Sequence, residues 1–342
     1  MKAGINSKTG SKRLSGIELL RIVAMMFVLL GHSYLRINST PPSEAVGSNC
    51  IKSFLDVLLS CVATTGVDIF IAISGWYGIN YKPQGLLKYI FQVLFTILLV
   101  YGFSIALHIV SFDTGCIKVC LTFYEGYWFV VGYLGLYIIS PILNSFIESA
   151  TKNEYKIVLL SFYIFQCYYS WLSSWYDYYN AYSVLLFAGI YLTTAYLRKY
   201  PISWLEKHPV KILVGVVLIM TTIAYTFYAL SGHYARQIRD DNPLVILVSI
   251  LFLFVFKQLR FHNKLINWFA ASCFTVFLIS YHPSIYPNFM IIMQELYDNY
   301  HGLIYGAILI LSLMSVYIAC TIVDQLRVFT WRGLSKMIFR KG

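Results

Sequence analysis

The first apolar stretch of the chain reads Ile17-Glu18-Leu19-Leu20-Arg21-Ile22-Val23-Ala24-Met25-Met26-Phe27-Val28-Leu29-Leu30-Gly31-His32. With the residues just after it, the stretch is long enough to cross a bilayer as a helix. Ten residues separate Arg21 from His32. An α-helix turns about 100° and rises about 1.5 Å per residue, so this eleven-residue step leaves the two side chains about 20° apart around the axis and about 16 Å apart along it. They share one face at two depths. Ionisable side chains inside a membrane span are costly and mark bundle interiors or cavities. The plain reading is that Arg21 snorkels to the inner headgroups and His32 is a satisfied core histidine. The functional reading is that both face one site. Glu18, three residues before Arg21, is placed for an i,i+3 ion pair.

Composition extends the membrane reading to the whole chain. Of 342 residues 58% are hydrophobic and only 12% charged, about half the charged share of a soluble domain. Long apolar runs recur from end to end, which excludes a soluble domain on a single anchor. The net charge of +11 does not indicate nucleic acid, because the basic residues lie between apolar runs and form no recognisable nucleic-acid module. Seven scattered cysteines contain no CxxC or CxxH pair, so no metal site is expected. The spacing of Cys116 and Cys120 permits a disulfide in an external loop without requiring one. Lys2, Lys8, Lys12 and Arg13 ahead of an apolar run resemble a signal peptide, but the run is too long and lacks a small-x-small cleavage site, so an uncleaved first span is expected.

The expected fold is therefore all-α, a single polytopic domain over residues 1–342 with about ten transmembrane helices. They lie at roughly 17–36, 53–79, 87–110, 127–147, 156–172, 181–197, 211–230, 243–257, 267–286 and 302–324, flanked by basic segments at 1–16 and 325–342. Twenty of the 26 basic residues fall on one set of helix ends, among them Lys82, Lys88, Lys152, Arg198, Lys257, Arg327 and Arg332. Five fall on the other: Arg36, Lys52, Lys118, Arg236 and Arg239. The positive-inside rule places both termini in the cytoplasm. Arg21 then lies about a turn inside the cytoplasmic boundary, and His32 in the external half.

Other polar residues reach membrane depth. Asp68, in Gly66-Val67-Asp68-Ile69-Phe70, falls near mid-membrane, where a carboxyl is paired or protonated. The alternative is a small-residue packing seam at Gly66, Ser74 and Gly75. Trp128 suits the outer interface and Pro141 is placed to kink the fourth span. In the ninth span Tyr281-His282-Pro283 brings His282 to a depth similar to His32; equally, it reads as an interfacial histidine before a helix-ending proline.

Together these segments resemble the acyltransferase-3 family of integral membrane acyltransferases. The arginine, ten residues and histidine of the first span match the family's signature on Arg21 and His32. Gly66-Val67-Asp68-Ile69-Phe70 with Ser74-Gly75 is similar to its second-span pattern. Tyr127-Trp128-Phe129 through Ser140-Pro141-Ile142-Leu143-Asn144 resembles a block of one branch, and Tyr281-His282 sits where many members carry Tyr-Leu-Ile-His. One departure stands out. Many members carry Arg-x-x-Arg soon after the second-span Ser-Gly, whereas residues 78–88 here hold only Lys82 and Lys88 as basic residues.

The resemblance implies transfer of an acyl group, usually acetyl, from cytoplasmic acetyl-CoA or another acyl-CoA to a hydroxyl of a cell-envelope or exported polysaccharide, in a bacterial-type inner membrane. The donor is a substrate; no permanently bound cofactor is implied. Partners are the acyl-CoA, a glycan or other hydroxyl acceptor and the lipid bilayer, with homo-oligomers left open. The residues implied are His32, Arg21 and Asp68 for catalysis, Arg21, Ser74 and Lys82 for the donor, and His282, Tyr281 and Trp128 for the acceptor. Succinyl as the acyl group is an alternative. So is a proton-coupled transporter, which embedded Arg, Asp and His would suit but which the lack of an internal repeat disfavours.

Overall fold

The computed structural model describes residues 14–37, 50–122, 127–166, 168, 183–232 and 238–338. These residues form helices α1 (Ser15–His32), α2 (Tyr34–Ile37), α3 (Cys50–Tyr77), α4 (Pro83–Ala106), α5 (Thr114–Thr122), α6 (Trp128–Ser149), α7 (Lys152–Phe165), α8 (Ser183–Lys199), α9 (Ser203–Lys207), α10 (Pro209–Ser231), α11 (Pro243–Phe256), α12 (Lys264–Ala270), α13 (Cys273–Ser280), α14 (Tyr286–Asn299) and α15 (Gly302–Ile338). Among the described residues six helices are long and apolar enough to cross a membrane: α1 with α2, α3, α4, α6, α10 and α15; α11 is apolar but shorter. The protein is an all-α, multi-pass membrane protein.

Local chemistry sets many of the helix boundaries. Pro83 occupies the first turn of α4 and Pro209 that of α10, where a missing N–H costs nothing. The Asn242 side chain caps α11 by accepting from the Leu244 N–H, and Asn263 caps α12 by accepting from Leu265 and Ile266. Thr151 and Glu154 form a capping box on α7. Gly232 closes α10 at φ 71°, a left-handed cap that suits glycine. Inside α6, Pro141 cannot donate to the Tyr137 carbonyl, and the Ser140 hydroxyl takes its place at 2.7 Å.

The bundle is built around α3, which packs against α1, α8, α10 and α11. In its most apolar window 61% of residues are buried, against 22% for α10, so α3 is the central helix and α10 faces lipid. Two glycines allow the close packing. A Cβ on Gly66 would lie 2.8 Å from the Ala24 carbonyl of α1, and one on Gly75 would meet the Tyr191 backbone of α8.

Three expected boundaries are corrected. The ninth span is not one helix over 267–286: α12 ends at Ala270, α13 starts at Cys273, and His282-Pro283 ends it, because Pro283 cannot supply the next backbone donor. The break is tolerated because Ser272 is buried in protein and bonded to Asp324 of α15. The segment after it folds into α14, a helix the hydropathy pattern did not reveal. Third, the basic segment from 325 is not a separate tail. α15 continues through Ile338, giving 37 residues and a length of about 55 Å. Arg327 is buried against Asp324, and the Trp331 ring packs 5.0 Å from Phe91 of α4. Residues 1–13, 339–342 and the side chains of Cys116 and Cys120 lie outside the described residues.

Candidate active site

On α1 the residues Arg21, Met25, Val28 and His32 follow the spacing i, i+4, i+7, i+11, and all four line one cavity of about 600 Å³. The shared face expected from the eleven-residue step is thus a cavity wall. Opposite it stand Ser74 and Phe70 of α3, Lys88, Tyr89 and Gln92 of α4, Trp128 and Phe129 of α6, Phe274 and Phe277 of α13, and Arg327 and Arg332 of α15.

Chain direction sorts these residues along the cavity. α3 and α4 are joined at residues 78–82, so Lys88 lies near the end where α1 begins. Tyr34, just beyond His32, packs 5.8 Å from Tyr305 at the start of α15, so Arg327 and Arg332, more than twenty residues on, lie at the opposite, Arg21 end. One end of the cavity is therefore basic: Arg21, Lys88, Arg327 and Arg332. Arg21 pairs with Glu18 at 3.2 Å and Arg327 with Asp324 at 2.5 Å. Lys88 and Arg332 have no carboxylate partner among the described residues.

At the other end the His32 ring lies 4.4 Å from the Tyr281 ring and 6.2 Å from Phe277. The Tyr286 hydroxyl donates to the His32 carbonyl at 3.0 Å and fixes the backbone there. His32 Nδ1 is buried with no hydrogen-bond partner among the described residues. Such an atom costs stability unless a ligand or water fills its need, and His32 lies on a cavity that can admit one.

The remaining candidates divide. Ser74 lines the cavity; its hydroxyl donates to the Phe70 carbonyl at 2.9 Å and meets the Tyr133 hydroxyl at 3.3 Å. Trp128 lines it too. Tyr281 is outside the lining and packs behind it, against His32, Phe277 and Tyr286. Asp68 is fully buried, neither carboxyl oxygen has a hydrogen-bond partner among the described residues, and it does not line the cavity. His282 is fully buried, its Nδ1 accepting from the Ser284 N–H at 3.1 Å, and it too is absent from the lining. Neither Asp68 nor His282 hydrogen-bonds to His32. Lys82 is exposed and outside the lining, which Lys88 joins instead.

The connection that carries Lys82 is pinned by its backbone. The Tyr137 hydroxyl accepts from the Lys82 N–H and donates to its carbonyl. Asn144 donates to the Ile79 carbonyl, and the Ile79 N–H donates to the Tyr191 hydroxyl. Arg327, Arg332, Gln92 and Asp324 were not singled out as site residues from the sequence. A buried i,i+3 Asp–Arg pair past the last apolar run was the available signal.

Comparison with known proteins accords with this geometry. The family model described as an acyltransferase domain, Acyl_transf_3, matches residues 14–323. No curated protein and no solved structure matches the chain. The matched region begins just before the helix bearing Arg21 and His32 and covers nearly all of the bundle, and on that extent the chain belongs to the acyltransferase-3 family of membrane acyltransferases.

Proposed function

We propose that this protein transfers an acyl group, acetyl in the first instance, from a cytoplasmic acyl-CoA to a hydroxyl of a cell-envelope or exported polysaccharide or its lipid-linked precursor. In this reading both termini are cytoplasmic and the host membrane is a bacterial-type inner membrane. One observation carries the proposal: a single cavity joins a basic end to a histidine about 16 Å along the same helix. An extended pantetheine arm is of similar length, about 16–20 Å by extended-chain dimensions. Arg21 and Lys88 would hold phosphate oxygens by charge-assisted hydrogen bonds, and Met25 and Val28 would flank the arm.

His32 acts as the general base. It takes the proton of the acceptor hydroxyl as the oxygen attacks the thioester carbonyl carbon, and the carbon–sulfur bond breaks to release CoA as the thiolate. An imidazole suits this step because its neutral ring carries a nitrogen lone pair that accepts the proton. Trp128 offers a ring face to the acceptor side, and Tyr281 packs against the His32 ring from outside the lining. Asp68 and His282, outside the cavity, take no part in bond making here and belong to the scaffold around it.

The test is CoA release by the purified protein in lipid vesicles, with radiolabelled acetyl-CoA on the side of the basic residues and a polysaccharide hydroxyl acceptor present. Acceptor-dependent release with label in the acceptor is the expected result. Solute flux without thioester turnover would overturn the reading in favour of a carrier. The two lysines separate within the same assay. Lys88→Ala is expected to raise the donor KM about tenfold or more, the loss of one hydrogen bond to a charged group. Lys82→Ala is expected to leave it within about twofold, since its side chain is exposed and its backbone contacts survive.

A further inference from the structure

The family's usual pair of arginines after the second span is missing here, and the residues in its place are pinned to α6 and α8 by their backbone. The last helix brings two arginines to the same end of the cavity. Arg327 and Arg332 both line it, five residues and about 7.5 Å apart along the axis. They lie beyond residue 323, where the family match ends.

Arg327 is 5% exposed, and such a buried guanidinium needs a partner. Asp324 accepts from its Nε at 2.5 Å and from Nη2 at 2.9 Å. The same carboxylate accepts from the Ser272 hydroxyl and the Thr275 hydroxyl, each at 2.7 Å, and Gln92 donates to the Thr275 hydroxyl at 2.9 Å. The start of α13 thus fixes the aspartate, with Gln92 of α4 bonded behind Thr275, and the aspartate fixes the plane of the guanidinium. That bidentate grip occupies Nε and Nη2 and leaves Nη1, which no other described residue engages. Arg332 is exposed to the cavity and has no carboxylate partner among the described residues. A built, part-neutralised arginine and an unneutralised one on the same cavity end suit phosphate groups, whose oxygens take bidentate guanidinium bonds.

We propose that Arg327, held by Asp324 as its positioning residue, and Arg332 form the phosphate-binding pair for the coenzyme A donor, in place of the missing arginines after the second span. The proposal rests on the acyl-CoA reading. It is tested by equilibrium binding to the full-length protein in lipid nanodiscs, using coenzyme A, dephospho-coenzyme A and phosphate-free pantetheine. Two variants are used. Arg332→Gln removes an exposed side chain and leaves the fold intact. The double variant Asp324→Asn with Arg327→Gln removes both buried charges together, so that no lone charge stays behind.

Each variant is expected to weaken coenzyme A about tenfold or more while leaving pantetheine unchanged. A loss confined to coenzyme A assigns the pair to the 3′-phosphate, and a loss shared with dephospho-coenzyme A assigns it to the diphosphate; both outcomes support the proposal. Unchanged coenzyme A affinity in Arg332→Gln, or equal weakening of coenzyme A and pantetheine, overturns it while leaving the acyl-CoA reading in place. Wild-type protein that binds no coenzyme A overturns that reading and this pair with it.

Discussion

Replacing His32 with alanine is expected to lower acceptor-dependent CoA release by about 10²–10⁴-fold, the range for loss of a positioned general base. The same variant is expected to bind coenzyme A within about twofold of wild type. The reason is the separation along α1: the basic residues lie at one end of the cavity and His32 at the other. The fold has little to lose. The Tyr286 hydroxyl bonds the backbone carbonyl of residue 32, which alanine retains, and Tyr281 keeps its contacts with Phe277 and Tyr286. Among the described residues His32 Nδ1 makes no hydrogen bond that alanine would break. CoA release that persists at wild-type rate in His32→Ala would remove His32 from the chemistry. Lost coenzyme A binding would instead assign it to the donor site. Adding imidazole to the alanine variant gives a further readout, since partial recovery of rate without change in donor KM reports a missing base and not a missing structural contact.

How much of this was legible in the chain depends on the range of the interaction concerned. Arg21 and His32 could be paired from spacing alone, because helix periodicity is local and an eleven-residue step closes just over three turns. Ser74 and Trp128 also line the cavity, their segments being long regular helices. The choice between Lys82 and Lys88 was not local. Lys82 is held away by hydrogen bonds from Tyr137, 55 residues on, which no pattern around position 82 encodes. Asp68 and His282 were singled out by residue type and depth, yet depth does not tell which way a side chain turns. The break in the ninth span sits where Ser272 and Thr275 bond Asp324 across the bundle, a long-range contact that hydropathy does not register. Arg327 and Arg332 read as an ordinary positive-inside cluster for the same reason: only the continuation of α15 along α4 turns that cluster into a cavity wall.

Gly75→Ala is expected to be the most destabilising single-methyl change on α3. A Cβ there would meet the Tyr191 carbonyl and the Thr194 hydroxyl of α8 and would lie 2.7 Å from the Tyr191 Cα. Two of these three atoms are backbone, so no rotamer change relieves the contact and the helices must part. Overpacking of this kind costs about 1–3 kcal/mol. The displacement also pulls on Tyr191, whose hydroxyl donates to Asn144 at 2.6 Å and accepts from the Ile79 N–H at 2.8 Å, and on Ser74, the neighbouring cavity residue. A rise in donor KM is therefore expected together with a lower melting temperature. Gly102→Ala on α4 is the control. A Cβ at that position meets nothing within 4 Å, and alanine in place of a helical glycine gains about 0.5–1 kcal/mol by restricting the unfolded chain. Melting in lipid nanodiscs is expected to fall for Gly75→Ala and hold or rise for Gly102→Ala. If Gly75→Ala melts at or above wild type, the α3–α8 contact is not the close backbone seam that the glycine marks. Gly66→Ala, whose new methyl would meet the Ala24 carbonyl at 2.8 Å, then tests whether the seam between α1 and α3 is the one that fixes the cavity.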